Sequence, residues 1–282
     1  MPQPEVRTLP DGAVLRDLQG QAELDDALKL QEETWGEGFK ECVPPAILLV
    51  AQKIGGIAAG AFSVSGALVG FVFGLTGVRG GHLVHWSDML AVRPERQGRG
   101  LGVALKRYQR DRCRAIGVET MHWTFDPFVA RNAHLNLNRL GARVDEFVPD
   151  MYGTRTGSPL HDLGTDRFVV SWPVRDEPSP LPEGDALLAG VPCAGGPPGR
   201  GPGASEPLPH ADVVAVRVPN DCGALRERDL EQARAWRASA RRAFAHYLGL
   251  GWQVSAFVPS RDGDASYVLT KPSGGTVAEP GR

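Results

Sequence analysis

The chain has 282 residues, enough for one large core or two small ones, and its 42% hydrophobic and 23% charged composition is that of a globular protein. A formal net charge of −2 gives no general attraction to nucleic acid or to an anionic membrane surface, so neither is expected as a partner. Cys42, Cys113, Cys193 and Cys222 stand far apart with no CxxC or Cys/His spacing, which supports neither a disulfide framework nor a zinc site; no metal is expected. No basic segment leading into an apolar one marks a signal peptide, and no apolar run approaches the roughly 20 residues that span a bilayer. A cytoplasmic protein with reduced thiols is the expectation.

Ala13 to Leu18 reads as a short strand and Gln21 to Trp35 as a helix, with Leu24, Leu28, Leu30 and Trp35 as an approximate apolar stripe. Pro44-Pro45 opens a second helix that runs to Lys53, and Gly55-Gly56 stops it. Two strands, Ile57 to Ser63 and Ala67 to Leu75, meet around Ser65-Gly66, a pair suited to a tight hairpin. The apolar strand His82 to Val92 follows and enters a turn dense in Gly and Arg. A helix leaves that turn with Leu101, Ala104, Leu105 and Tyr108 at the spacing of one buried face, and runs to Ile116. Val118 to Phe125 is then a strand parallel to its predecessor, because a helix crosses between them.

The Gly-rich turn is where chemistry is expected first. A strand that feeds a helix through such a turn points backbone N–H groups outward at the positive end of the helix dipole, which suits an anion. Gly98, Gly100 and Gly102 remove side chains that would hold a phosphate away from those amides. Arg93, Arg96 and Arg99 add charge to the rim. Competing phosphate motifs fit poorly. No Gly-Lys-Ser/Thr ending is present, and Glu119, near the spacing of a dinucleotide fingerprint, opens its strand instead of closing it.

Gln97-x-x-Gly100-x-Gly102, preceded by a strand ending Ala91-Val92-x-Pro94, resembles the acyl-CoA pyrophosphate loop of the GNAT superfamily of N-acetyltransferases. Ala130 to Ala142, with Asn132 near its start and Leu140-Gly141 near its end, is similar to the second GNAT signature. The order of elements from residues 13 to 173 matches as well. The resemblance implies a mixed α/β (α+β) fold with a central, mostly antiparallel sheet flanked by helices. It also implies acetyl-CoA, or another acyl-CoA, as co-substrate. Backbone groups of Leu90, Ala91 and Val92 would hold the pantetheine arm. The loop Gln97, Gly98, Arg99, Gly100, Leu101 and Gly102 would hold the pyrophosphate. Asn132 would cap its helix or bond the coenzyme arm. Two departures stand out: Ala142 replaces an aromatic residue, and Leu137 stands where many relatives carry the Tyr that protonates the departing thiolate.

Transfer to a neutral amine needs the thioester held beside it, its carbonyl polarised and a proton removed. Candidates for the proton work are Asp88, costly to bury unpaired on so apolar a strand, His85, suited to transfer near neutral pH, and Tyr152. Strand alternation puts His85 and Ser87 on one face and Trp86 and Asp88 on the other, unless a bulge intervenes.

Val144 to Tyr152 and Arg167 to Trp172 complete the sheet of a domain spanning residues 1–175. Residues 176–210, rich in Pro and Gly and nearly devoid of aromatics, read as a linker that cannot order itself. Residues 211–282 are structured again: a strand Asp212 to Val218, a helix Arg228 to Leu248, and strands Trp252 to Val258 and Ser266 to Thr270. Ala240 through Val258 overlays Ala130 through Val148 without a gap, identical at eight of nineteen positions. The tail therefore reads either as half of the first fold repeated without its phosphate loop, or as an amphipathic helix before a strand that gives such matches unaided. Tyr247 takes the position of Leu137 in this overlay. So small a unit is expected to dock on the first domain.

Two functional readings follow. One is an N-acyltransferase moving an acetyl group from acetyl-CoA to a small-molecule or amino-acid-like amine by direct attack. The other is a non-catalytic acyl-CoA-binding regulatory or interaction module. The acceptor is not legible, and a homodimer is carried over from the relatives as an open expectation.

Overall fold

The structure, a computed structural model, describes residues 6–153, 162–177, 179–197, 199, 201–202, 206–260 and 263–272. In chain order the elements are β1 (Arg7–Thr8), β2 (Val14–Asp17), α1 (Gly20–Trp35), α2 (Pro45–Lys53), β3 (Ile57–Phe62), β4 (Leu68–Arg79) and β5 (His82–Val92). There follow α3 (Leu101–Ala115), β6 (Thr120–Phe125), α4 (Ala130–Ala133), β7 (Arg143–Val148), β8 (Arg167–Pro173) and β9 (Cys193–Gly195). The chain ends with β10 (Val213–Val218), α5 (Cys222–Arg228), α6 (Leu230–Gly249), β11 (Gln253–Val258) and β12 (Ala265–Thr270). Two compact units result: Met1–Thr124, Tyr152–Thr165 and Val169–Ser179 form the first, and Phe125–Met151, Asp166–Phe168 and Pro180–Arg282 the second.

In the first unit the strands run in the order β1-β2-β3-β4-β5-β6-β8. β1 through β5 pair antiparallel and β6 joins β5 in parallel, the mixed, mostly antiparallel sheet expected from the sequence. Leu24, Leu30 and Leu48, from α1 and α2, pack with Phe71, Phe73, Met89 and Ala91 into one core. Burying such side chains contributes about 1.5–3 kcal/mol each, which is what holds these helices on the sheet. β4 reaches Arg79, beyond the predicted Leu75, because it pairs with β5 down to Arg79 opposite His82. Gly80 and Gly81 close that hairpin with φ of 59° and 84°, values a two-residue primed turn requires.

In the second unit, four strands form a separate sheet in the order β11-β12-β10-β9, with β9 parallel to β10 and the other pairs antiparallel. Its β12-β10-β9 part repeats the order β8-β6-β5 of the first unit, in which β5 and β6 are also the parallel pair. Two sequence expectations change here. The predicted linker contributes β9: Cys193-Ala194-Gly195 is small enough to lie under α6, where a Cβ on Gly195 would stand 3.1 Å from the Ser239 carbonyl oxygen. The predicted Arg228 to Leu248 helix is α6, and ahead of it runs a helix the sequence does not announce, α5; Asp229 between them accepts from Gln232 N at 2.9 Å through its carboxylate and caps α6. Tyr247 is buried and its hydroxyl donates to the Pro209 carbonyl at 2.8 Å, so it packs the core of this unit. Leu137 is fully buried. Part of the predicted polar segment from Gly153 to Asp166, residues 154–161, lies outside the described residues. Among the described residues no helix is long and apolar enough to cross a membrane.

Candidate active site

Opposite residues in β4 and β5 follow one register from Arg79–His82 to Gly74–Ser87 and another from Phe73–Met89 onward. Asp88 is the extra residue, a β-bulge. The bulge reverses the strand's buried face. Upstream, His85 and Ser87 point at α3, where both meet Gln109. Downstream, Met89 and Ala91 join the core beneath α1 and α2. Asp88 between them is exposed to solvent at its rim, yet enough protein crowds its carboxyl for desolvation to raise the pKa above the usual carboxylate value. Among the described residues no hydrogen bond or ion pair reaches that carboxylate.

Beside the bulge the sheet opens. β5 pairs with β6 only at Val84–Thr120, His85–Met121 and Trp86–His122, although β5 runs on to Val92 and β6 beyond His122. Arg93 N donates to the Val69 carbonyl at 3.0 Å, so antiparallel alternation turns the Ala91 backbone toward β4 as well. Leu90 and Val92 then present their backbone groups to the gap. Of the three residues expected to hold a ligand arm, Ala91 is thus spent in the ladder with Phe71. The Val92 carbonyl already accepts from Gln97 Nε2 at 2.8 Å.

The loop follows directly. A 3-10 turn, Pro94–Arg96, leads through Gln97 to Gly98 and Gly100, whose φ values of 72° and 81° are left-handed. Gly100 is the N-cap of α3, and Ala104 N is the amide that reaches back to its carbonyl, at 3.0 Å. The amides of Leu101, Gly102 and Val103 precede it and have no acceptor within the helix. A Cβ on Gly98 or Gly100 would meet no protein atom within 4 Å, so the cradle faces open space. Two of the three arginines expected at the rim are engaged by carboxylates: Arg93 with Glu33, and Arg96 with Asp11 at 2.6 Å. Arg99 stays exposed on the loop.

His85 is fully buried, with Nδ1 2.9 Å from Thr76 Oγ1 and Nε2 3.0 Å from Gln109 Nε2. Burial, with the nearby Lys106 ammonium second, lowers its pKa to about 3. That enclosure makes it a neutral structural histidine. Tyr152, by contrast, brings its hydroxyl to within 3.0 Å of Thr124 Oγ1, on the strand that parts from β5. Trp123 is packed edge-on against Trp172 in the core, with ring centroids 5.9 Å apart. Asn132 does not cap its helix: α4 begins at Ala130 with Val129 at the N-cap, because Ala133 N also reaches back to the Val129 carbonyl. It lies half-buried in the second unit.

Lys106 and Gln109 are residues that pattern reading leaves on the surface. Both are almost wholly buried. The signal was their spacing: on α3 they flank Leu105 and Tyr108, so they share the stripe that faces the sheet.

No protein-family model matches the chain, and no curated protein matches it. Solved structures of N-acetyltransferases do. The ribosomal-protein-S18-alanine N-acetyltransferase of Escherichia coli is similar over 57% of this chain and 94% of its own, at 18% identity and a TM-score of 0.44. A GNAT superfamily phosphinothricin acetyltransferase of Sinorhizobium meliloti, in complex with AcCoA, is similar over 57% of this chain and 88% of its own, at 19% identity and a TM-score of 0.45. An aminoglycoside 6'-N-acetyltransferase complexed with coenzyme A is similar over 58% of this chain and 99% of its own, at 15% identity and a TM-score of 0.45.

Proposed function

We propose that the chain is an acyl-CoA-dependent N-acyltransferase of the GNAT type, moving an acetyl group from acetyl-CoA to the amine of a small or amino-acid-like acceptor. The observation that carries this reading is the parting of the parallel strands β5 and β6 after Trp86–His122, immediately upstream of the Gly-rich cradle. An extended arm ending in a diphosphate suits such a gap. The arm would take up backbone groups that the sheet leaves unpaired at Leu90 and the amide of Val92, whose carbonyl is held by Gln97, and the diphosphate would lie on the amides between Gln97 and Gly102.

Asp88 serves as the base in this reading. It lies at the head of the gap, it is reachable, and its raised pKa brings it nearer the operating pH, where proton removal from an ammonium is efficient. Tyr152, through its placement beside Thr124, is the acid for the departing thiolate. A thiolate with a pKa near 8.5 asks little of that acid. His85 has no part in proton transfer. The protein is read as cytoplasmic, and the acceptor is kept to the broad class of small or amino-acid-like amines.

Incubation with acetyl-CoA and a panel of amines, following free thiol, tests the reading. Thiol released only when an amine is present supports transfer. Tight coenzyme binding with no turnover across the panel favours the non-catalytic binding module instead, and absence of any affinity removes both.

A further inference from the structure

Beneath α3 a file of buried polar groups runs in one direction. Lys106 Nζ donates to Ser87 Oγ at 2.7 Å, and Ser87 Oγ donates to Gln109 Oε1 at 2.7 Å. Gln109 Nε2 lies 3.0 Å from His85 Nε2, and His85 Nδ1 lies 2.9 Å from Thr76 Oγ1. Thr76 donates its only hydrogen to the Gly55 carbonyl at 2.7 Å. That last bond fixes the sense of the rest. Thr76 can only accept from His85, so the imidazole proton sits on Nδ1 and Nε2 accepts from the Gln109 amide. The file exists because residue 74 is glycine: a Cβ there would fall 2.3 Å from His85 Nε2 and 2.9 Å from Gln109 Nε2.

Apolar residues of the same volume are often no less stable than a buried polar network, and the best-attested use of such a network is to fix a register. What it specifies is where β5 turns over. Ser87 is the last residue held toward α3, and Met89 is the first held toward α1 and α2. Nothing in an apolar strand decides which residue is doubled, because Leu, Met and Ala bury on either face. The hydroxyl of Ser87 does decide, since Lys106 and Gln109 engage it on the α3 side alone.

We infer that Lys106, Gln109 and Ser87 are positioning residues that lock the bulge at Asp88, and so set where its carboxylate projects and where the sheet opens for the acyl group. The inference rests on the acyltransferase reading for its consequence, though not for its geometry. Lys106 touches no reacting atom in it. Its ammonium lies 4.0 Å from the centroid of the Trp123 ring, a contact that holds the amine in place without a carboxylate.

The test compares Ser87→Thr with Ser87→Val, which add the same bulk and differ only in the hydroxyl. Ser87→Thr is expected to keep kcat within about 3-fold of its parent, and Ser87→Val to lose about 10- to 100-fold, the order of loss for a displaced catalytic group. The Kd for coenzyme A should change less than kcat, and the acidic limb of the pH profile should move in Ser87→Val alone. Equal kcat in the two variants overturns the inference. Lys106→Met approaches the same hydroxyl from the other side, should either serine variant fail to fold. The crystal structure of Ser87→Val gives a readout free of activity: a shifted or lost bulge supports the inference, and an unchanged bulge at Asp88 overturns it. If the parent protein shows no affinity for acetyl-CoA, it is the acyltransferase reading that fails, and the crystal structure still judges the positioning.

Discussion

Arg237 and Asp126, 111 positions apart in the chain, form an ion pair whose side chains are only 5% and 11% exposed. Arg237 also faces Asp166 at 3.4 Å, and Arg241 on the next turn of α6 reaches Asp166 at 2.6 Å and Asp150 at 2.8 Å. The second unit thus pins its long helix through buried charge. Charge so placed gains little against an apolar replacement of the whole set, but loses heavily when one partner alone is removed.

Removing that partner is the first prediction. Arg237→Met takes from Asp126 its closest cation, while Asp166 keeps Arg241, and should destabilise the second unit by about 3–5 kcal/mol. Arg241, about a third exposed, is screened by water, and Arg241→Ala should cost no more than about 1 kcal/mol. Urea unfolding followed by Trp fluorescence compares them, and equal midpoint losses for the two variants contradict the ranking.

The buried Lys106 makes a prediction about pH. Desolvation lowers its pKa from 10.5 to about 7 in the folded protein, while the unfolded chain keeps the ordinary value. Between those two values the unfolded state binds more protons than the folded one. Stability therefore rises with pH across roughly pH 7 to 10.5, at most by about 1.4 kcal/mol per unit, and this contribution is flat outside that window. Lys106→Met should flatten that rise relative to the parent, read from denaturant midpoints between pH 7.5 and 9.5. A parallel pair of curves would mean the ammonium is not desolvated.

Asp88→Asn keeps the shape of the bulge and removes the base. On the acyltransferase reading it should lower kcat by about 10²–10⁴-fold, while calorimetry finds coenzyme binding within a few fold of the parent. Tyr152→Phe should cost far less, because the leaving thiolate needs little help. A full-speed Asp88→Asn enzyme would move the base elsewhere.

Gly100→Ala tests the cradle. Its φ of 81° is a conformation that a side chain resists at a cost of about 1–2 kcal/mol, and the added methyl would project into open space at the turn where the acyltransferase reading puts the diphosphate. Coenzyme affinity should fall about tenfold or more, with only a small drop in melting temperature. Unchanged affinity would place the diphosphate somewhere other than this turn.

Much of this was legible in the chain itself. The period of Leu101, Ala104, Leu105 and Tyr108, the Gly spacing of the turn and the crossover helix suffice for a parallel strand pair with a left-handed Gly turn at its end, because these depend on local backbone sterics and on which face is apolar. The match of residues 240–258 to 130–148 left a repeat and a chance likeness of two amphipathic helices equally open. Three decisions were not local. Strand alternation could not say which residue of β5 is doubled, and so it left open whether His85 meets the gap or the core; both sides of the sheet had to be packed first. The Pro/Gly-rich stretch offered no hydrophobic pattern, yet Cys193-Ala194-Gly195 became a strand because α6 and β10 supply the apolar surroundings it lacks. Lys106 and Gln109 carry surface chemistry in one dimension and core chemistry in three, since a polar side chain is buried wherever another chain segment happens to satisfy its hydrogen bonds.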